Sequence, residues 1–233
     1  MHFRRFLFWK KKAFVSMKKQ NHLLIRYFIL LLGLAVMAVG VVFSIKADLG
    51  TSPISSLPYV AGLISGLSVG MATILMHLAF VGIQILLLRK RYEPIQLFQL
   101  LVGVIFGFMI DGADSLLSGI TYHSYGEQWV FCFIGILCVA VGVTLEIISN
   151  VVILAGEGVV RSVAEVSPFA FGNIKVAFDV TLVVLSVILG IAFLYQPAGV
   201  GAGTIAAALL VGILAKLFLK PLQGLREKLD AKS

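Results

Sequence analysis

Two ionisable residues four positions apart, Lys175 and Asp179, open an apolar stretch that continues to about Leu194. On a helix, side chains with this spacing share a face and are about 6 Å apart in rise. A charge at the centre of a bilayer costs roughly 2.5–3.5 kcal/mol on insertion scales, so two charges in one span need partners, water or a substrate. The pair predicts a polar solute or ion site inside a membrane bundle. A purely structural ion pair is the alternative interpretation.

A second group of candidate binding residues precedes a proline in the first half of the chain: Asp48, Gly50, Thr51 and Ser52. Thr51 or Ser52 is a natural N-cap, and Pro53 suits the first helical position. The helix that follows is too short to cross a bilayer, so we expect a re-entrant or interfacial segment within residues 47–67. The N-terminus of such a helix attracts anions. An ordinary capped surface helix is an equally good interpretation.

A counterpart is expected in residues 150–168. Asn150 lies where an apolar run ends, and Gly156 and Gly158 are expected to break the chain before a short amphipathic helix. Glu157, beside this break, is expected to face a cavity and is a further candidate binding residue. The alternative is that Glu157 belongs to a solvated row of charges spaced four residues apart.

The composition places these residues in a membrane protein. Hydrophobic residues make up 60% of the 233-residue chain and the mean hydropathy is +1.04, whereas soluble domains contain about 45–50% apolar residues. The apolar runs are continuous and of helix length, which predicts an all-α polytopic protein. Six spans of about 20 residues are predicted: Leu23–Ile45, Gly70–Leu88, Ile95–Leu117, Trp129–Ser149, Gly172–Leu194 and Gly201–Leu219.

The basic residues predict the orientation of these spans. Of the 19 Lys and Arg residues, all except Lys46 fall in segments on one side of the predicted bundle. By the positive-inside rule, both termini are cytoplasmic, with basic tails at 1–22 and 220–233, and residues 118–128 form an extracytoplasmic loop. The net charge of +8 is thus explained by the lipid bilayer, without a nucleic-acid partner. We expect a multi-pass protein of the cell (cytoplasmic) membrane.

Spacing also predicts an internal repeat. Gly33 and Gly40 recur 102 residues later as Gly135 and Gly142. The same offset pairs further residues: Asp48 with Asn150, Gly70 with Gly172, Thr73 with Lys175 and His77 with Asp179. Each half, 23–117 and 129–219, holds three spans. Because an odd number of spans reverses the orientation of the second half, the two halves are predicted to form an inverted repeat, as in many secondary transporters. Common small-residue patterns of membrane helices are the alternative explanation.

His77 joins the candidate site through this symmetry. His77 and Asp179 each lie seven residues beyond a paired glycine, about 10 Å deep in a core of about 30 Å. Inverted symmetry predicts comparable depths on opposite sides of the midplane, where an imidazole and a carboxylate could take up and release a proton. A buried histidine that only packs between helices is the alternative.

Several stretches resemble the YitT/YczE-type family of bacterial multipass membrane proteins: Ala47–Pro53, Ala155–Gly158, Phe171–Lys175 with Asp179, and Gly203–Gly212. The similarity extends over roughly Leu23–Leu219. Ala155 departs from the proline of that family's Pro-Gly-Glu-Gly turn. The resemblance implies a six-span integral membrane protein and leaves the substrate open, because that family is functionally uncharacterised.

The resulting functional expectation is a secondary transporter of a small anionic or zwitterionic solute, with proton coupling as one variant. A membrane solute-binding subunit or an accessory scaffold is the alternative. We find no HExxH motif and no nucleophile with an adjacent base, so neither an enzyme nor a metal or cofactor site is expected. A homodimer and a separate energising subunit are both compatible with the sequence.

Overall fold

The computed structural model describes residues 22–230, without the side chains of 225–228 and 230. The predicted basic tail before residue 22 and the last three residues therefore lie outside the described residues. The described chain forms helices and no strand. Its eight α-helices are α1 Leu23–Lys46, α2 Pro53–Ser65, α3 Val69–Leu88, α4 Phe98–Leu116, α5 Tyr125–Ser149, α6 Ala155–Val166, α7 Phe171–Leu189 and α8 Ala202–Asp230. Two 3₁₀ turns, Arg89–Arg91 and Pro94–Leu97, join α3 to α4, and a π-turn, Gly190–Leu194, extends α7.

Six of these helices are long and apolar enough to cross a membrane: α1, α3, α4, α5, α7 and α8. Many large apolar side chains on them are exposed, as a lipid environment permits but water does not. The chain is therefore an all-α multi-pass membrane protein, as its sequence predicts. The other two helices, α2 with 13 residues and α6 with 12, are too short to cross.

Helices α1 and α5 cross in an antiparallel pair through four glycines. A methyl group on Gly40 would lie 2.8 Å from the carbonyl oxygen of Gly135, and one on Gly142 would lie 2.7 Å from the carbonyl oxygen of Gly33. Because glycine has no side chain, the two backbones touch directly. This pair carries the largest apolar core cluster, which includes Leu34 and Val42.

The remaining helices pack around this pair. Antiparallel α3 and α4 contact each other where Gly70 faces Gly107, and α5 runs parallel to α8, with Cys132 beside Gly203. The short helix α2 packs against α3 and α7, and the short helix α6 packs against the same two helices. We call the end with the α1–α2 and α7–α8 connections the outer end and the opposite end the inner end, after the predicted orientation.

The largest differences from the predicted spans are at the start of α5 and the end of α8. Helix α5 begins four residues before Trp129, because the Ser124 hydroxyl accepts a hydrogen bond from the Glu127 N–H at 3.3 Å and caps the helix. Helix α8 continues eleven residues beyond Leu219.

The expectation that Gly156 and Gly158 break the chain is wrong. Both lie in the first turn of α6, and the break is at 150–154.

Candidate functional site

The two short helices begin next to each other inside the bundle. Ile54 and Gly156 are the second residues of α2 and α6. A Cβ atom on Gly156 would overlap the Cδ1 atom of Ile54 and would lie 3.6 Å from the Phe80 ring. We call residues 52–56 and 154–158 the half-helix junction. A junction of this kind directs two positive helix ends towards the same interior region.

A cluster of buried serines surrounds the start of α2. Ser52 is the N-cap with Pro53 at the first position, as predicted. The Ser52 hydroxyl donates to the Ser55 hydroxyl at 2.9 Å. The Ser56 hydroxyl lies 2.9 Å from that of Ser186 on α7. All four serines are buried, so α2 begins in an uncharged but polar environment at membrane depth.

The start of α6 is capped by a buried carboxyl group. Glu146 of α5 is only 4% exposed, and its Oε1 atom accepts a hydrogen bond of 2.7 Å from the Leu154 N–H. Among the described residues, no basic side chain lies within 4.0 Å of it. Glu146 is thus not paired with Lys175, which binds Asp179. It places a carboxyl group where the α6 dipole favours negative charge.

Two buried glutamines complete the inner side of the junction. The Gln84 Nε2 atom donates to the Ala155 carbonyl at 3.1 Å and to Gln99 Oε1 at 3.0 Å. Gly158 leaves room for both amides, since a methyl group there would lie 2.6 Å from Gln84 Oε1. The inner side therefore contains a hydrogen-bonded amide pair from α3 and α4.

His77 is buried beside the junction and faces α4. Its ring lies between Phe80 and Phe106, with centroid distances of 6.4 and 6.2 Å. Its Nδ1 atom has no hydrogen-bond partner, and a methyl group on Gly103 would lie 2.5 Å from that atom. No described ion pair or hydrogen bond joins His77 to Asp179. Their placement at comparable depths on opposite sides of the midplane stays a prediction.

Lys175 and Asp179 instead bind each other. The Lys175 Nζ atom lies 2.7 Å from Asp179 Oδ1, and the two side chains are 32% and 24% exposed. The Nζ atom is also 5.8 Å from the centre of the Phe178 ring, close enough for a cation–π contact. The pair forms as its spacing predicts, but no described hydrogen bond links it to the half-helix junction.

A pocket of about 210 Å³ opens at the outer end between residues 44–51 and 196–200. Asp48 lies at its rim, where its Oδ2 atom accepts a hydrogen bond of 3.1 Å from the Tyr122 hydroxyl. Thr51 closes the other side, with its N–H 3.0 Å from the Gly199 carbonyl oxygen.

Burial and, to a smaller extent, the nearby Asp48 raise the pKa of Tyr59 in the pocket wall. The Tyr59 phenol is therefore a neutral hydrogen-bonding group. We call this cavity the outer pocket.

The predicted site residues are thus divided between separate places. Asp48, Gly50 and Thr51 line the outer pocket, and Ser52 belongs to the half-helix junction. Asn150 adopts a left-handed conformation at the end of α5, with φ 49°, and the half-buried Glu157 lies in the first turn of α6. Sequence reasoning assigned no role at the junction to the buried polar residues closest to it: Ser56, Gln84, Gln99, Glu146 and Ser186. Their signal was present, because polar residues inside apolar spans are costly and usually functional.

The fold and this interior arrangement define an all-α multi-pass membrane protein with two half-helices that start in its centre. The chain belongs to the family of unknown function DUF6198, whose model matches residues 24–220. No curated protein and no solved structure matches it. The resemblance to YitT/YczE-type proteins stays a prediction.

Proposed function

We propose that this protein is a secondary transporter of a small solute, built as an inverted repeat, with its solute site at the half-helix junction. It resides in the bacterial cytoplasmic membrane with both termini in the cytoplasm. The junction suits such a site because half-helix ends near the bilayer midplane bind substrates in several transporter folds.

The observation that carries the proposal is a set of contacts repeated after exchange of the two halves. Gly40 faces Gly135, and their counterparts at the 102-residue offset, Gly142 and Gly33, face each other as well. Ile54 faces its own counterpart, Gly156. A two-fold axis in the membrane plane relates contacts in this way.

The junction contacts repeat in the same way. Ser56 of α2 contacts Ser186 of α7, and their counterparts are Gly158 of α6 and Gln84 of α3, which also contact each other. The packing of the short helices follows, since each lies between α3 and α7. Alternating access in inverted repeats uses such pairs of equivalent interfaces, one open while the other is closed.

The two half-helix ends differ in chemistry. The α6 end already holds the Glu146 carboxyl group, whereas the polar side chains that form described hydrogen bonds at the α2 end are hydroxyl groups. The α2 end therefore remains available for an anionic group of the solute. This difference supports an anionic or zwitterionic solute, with the negative group bound on the α2 side of the junction.

Reconstitution of the purified protein in liposomes tests the proposal. Solutes that raise the melting temperature in detergent are selected first, because ligands that bind the native state stabilise it. Each is then measured for accumulation with and without a pH gradient. We expect Ser56→Ala to reduce accumulation by about tenfold, an effect of about 1.4 kcal/mol. Ser65→Ala, at the far end of the same helix, is the matched control and leaves accumulation unchanged.

Solute-dependent stabilisation without accumulation under any gradient would contradict the transporter proposal. That result would support the alternative of a solute-binding subunit that needs a separate energising partner.

A further inference from the structure

The outer pocket contains a single charged group, the carboxylate of Asp48. The other lining residues are apolar, hydroxyl-bearing, glycine or amide residues, and none is basic. Asp48 is an exposed residue at the rim of this open pocket, so a cation can reach its carboxylate from solution. A cleft lined by one sign of charge favours a ligand of the opposite sign.

Asp48 has no counter-ion within the described chain. Lys46 is only two residues away, yet its ammonium group lies beyond the 4.0 Å ion-pair distance. The only described donor to the carboxylate is the Tyr122 hydroxyl, which binds Oδ2. The Oδ1 atom is therefore available to a ligand, and a cation bound there would satisfy it.

Tyr59 provides an aromatic wall next to this carboxylate. An aromatic ring beside a carboxylate is the combination that recognises organic ammonium groups, through cation–π attraction and charge pairing. The volume of about 210 Å³ is below the roughly 300–1,000 Å³ of pockets for drug-sized ligands. The pocket therefore suits a small ligand.

The surroundings of the pocket have the same sign. Among the described residues, the outer end contains Asp111, Asp114 and Glu127 in addition to Asp48, and Lys46 is its only Lys or Arg residue. This excess of negative charge attracts cations from solution. The α2 N-terminus does not counteract it, because residues 53–56 are not part of the pocket wall. The anion attraction predicted from the sequence thus acts at the junction and not in the outer pocket.

We propose that the outer pocket binds the ammonium group of a small organic cation or zwitterion, with Asp48 as its counter-ion and Tyr59 as its aromatic wall. The inference rests on the proposed transport function in one respect, because the pocket would be the site where solute enters from the outer end. A zwitterion bound here by its ammonium group can later place its negative group at the α2 end of the junction.

Titration calorimetry on the full-length protein in detergent tests the inference with three probes: choline, its uncharged isostere 3,3-dimethyl-1-butanol, and butyrate. We expect choline to bind at least about tenfold more tightly than the other two, a difference of about 1.4 kcal/mol or more. Asp48→Asn is expected to weaken choline binding by about tenfold or more. Asparagine tolerates the left-handed backbone of this position, φ 54°, so the substitution removes the charge without straining the turn.

Asp114→Asn is the matched control, because Asp114 is an exposed carboxylate at the same end and does not line the pocket. Its choline affinity is expected to remain within about twofold of the wild-type value. An unchanged melting temperature of Asp48→Asn without ligand shows that the variant is folded. Equal affinity for choline and for the alcohol, no choline binding, or full binding by Asp48→Asn each overturns the inference.

The same probes separate this inference from the proposed function. Binding of choline that depends on Asp48, without accumulation of any solute in liposomes, supports the pocket and contradicts the transporter. Accumulation of a solute by a protein that does not bind ammonium groups supports the transporter and contradicts the pocket.

Discussion

Gly40 of α1 and Gly135 of α5 lie in direct backbone contact at the centre of the protein. A methyl group on Gly40 would lie 2.8 Å from the Gly135 carbonyl oxygen, from the Val139 nitrogen and from the Cβ atom of Cys138. Two of these three atoms belong to the backbone and cannot rotate away. The helix pair can therefore accept a side chain at this position only if the helices separate.

We expect Gly40→Ala to destabilise the protein by about 1–3 kcal/mol, the usual cost of overpacking a tight core. Gly82→Ala is the matched control, since Gly82 lies within α3 and a methyl group there meets no atom within 4 Å. That change is expected to stabilise α3 by roughly 0.5–1 kcal/mol, because alanine loses less backbone entropy than glycine. Thermal unfolding in detergent measures both variants. Equal melting temperatures would contradict the close contact of α1 and α5.

The ion pair of Lys175 and Asp179 gives a second prediction. Because both side chains are partly exposed, removing one partner is expected to cost about 1–3 kcal/mol, between the values for surface and buried pairs. The double variant Lys175→Met/Asp179→Leu leaves no unpaired charge and is expected to be milder than Lys175→Met alone. Chemical unfolding measures stability, and liposome uptake measures activity. Full activity in a stable double variant assigns the pair a structural role only.

Local sequence signals predicted the short helix α2 well. Ser52 as N-cap, Pro53 at the first position and Gly66 after the last turn define α2, because capping depends on a few adjacent residues. The six spans were predictable from hydropathy, because a membrane-spanning helix satisfies its own backbone hydrogen bonds and depends on local sequence.

The interior site was harder to predict because it depends on contacts between distant residues. Gly156 and Gly158 were predicted to break the chain. They instead lie within α6, where the absence of a side chain leaves space for Ile54 at Gly156 and for the Gln84 amide at Gly158. Glu146 accepts a hydrogen bond from the backbone of Leu154 at the start of α6, a contact that the sequence did not predict. A single sequence contains no information on which surfaces meet, and these assignments needed the fold.

The predicted orientation leads to a third prediction. Ser118 and Lys90 are exposed residues in connections at opposite ends of the bundle. On a background with Cys132→Ala and Cys138→Ala, a membrane-impermeant thiol reagent added to intact cells is expected to label Ser118→Cys and not Lys90→Cys. Permeabilised cells should show labelling of both, which controls for reactivity. Labelling of Lys90→Cys alone in intact cells would reverse the orientation.

Proton coupling gives the last prediction, and the structure favours Glu146 over His77 as the coupling group. An imidazolium at His77 would lie between two phenylalanine rings without a described carboxylate partner, and an unpaired buried charge is strongly unfavourable. Glu146 is a buried carboxyl group on α5 that accepts a hydrogen bond from the Leu154 N–H at the start of α6. The charged groups that act on it are Glu157 and Arg161, which carry opposite charges. Protonation there weakens the dipole interaction with α6, so proton uptake can change the position of a half-helix.

Two glutamine variants separate these roles in liposome uptake with and without an inward proton gradient. Glu146→Gln keeps a carbonyl oxygen that can accept the hydrogen bond from the Leu154 N–H, so α6 keeps its cap while the titratable group is lost. We expect this variant to lose the stimulation of uptake by the gradient, by about tenfold. His77→Gln is expected to reduce uptake through altered packing and to keep its dependence on the gradient. Loss of the dependence in His77→Gln, with retention in Glu146→Gln, would instead support the histidine as the coupling residue.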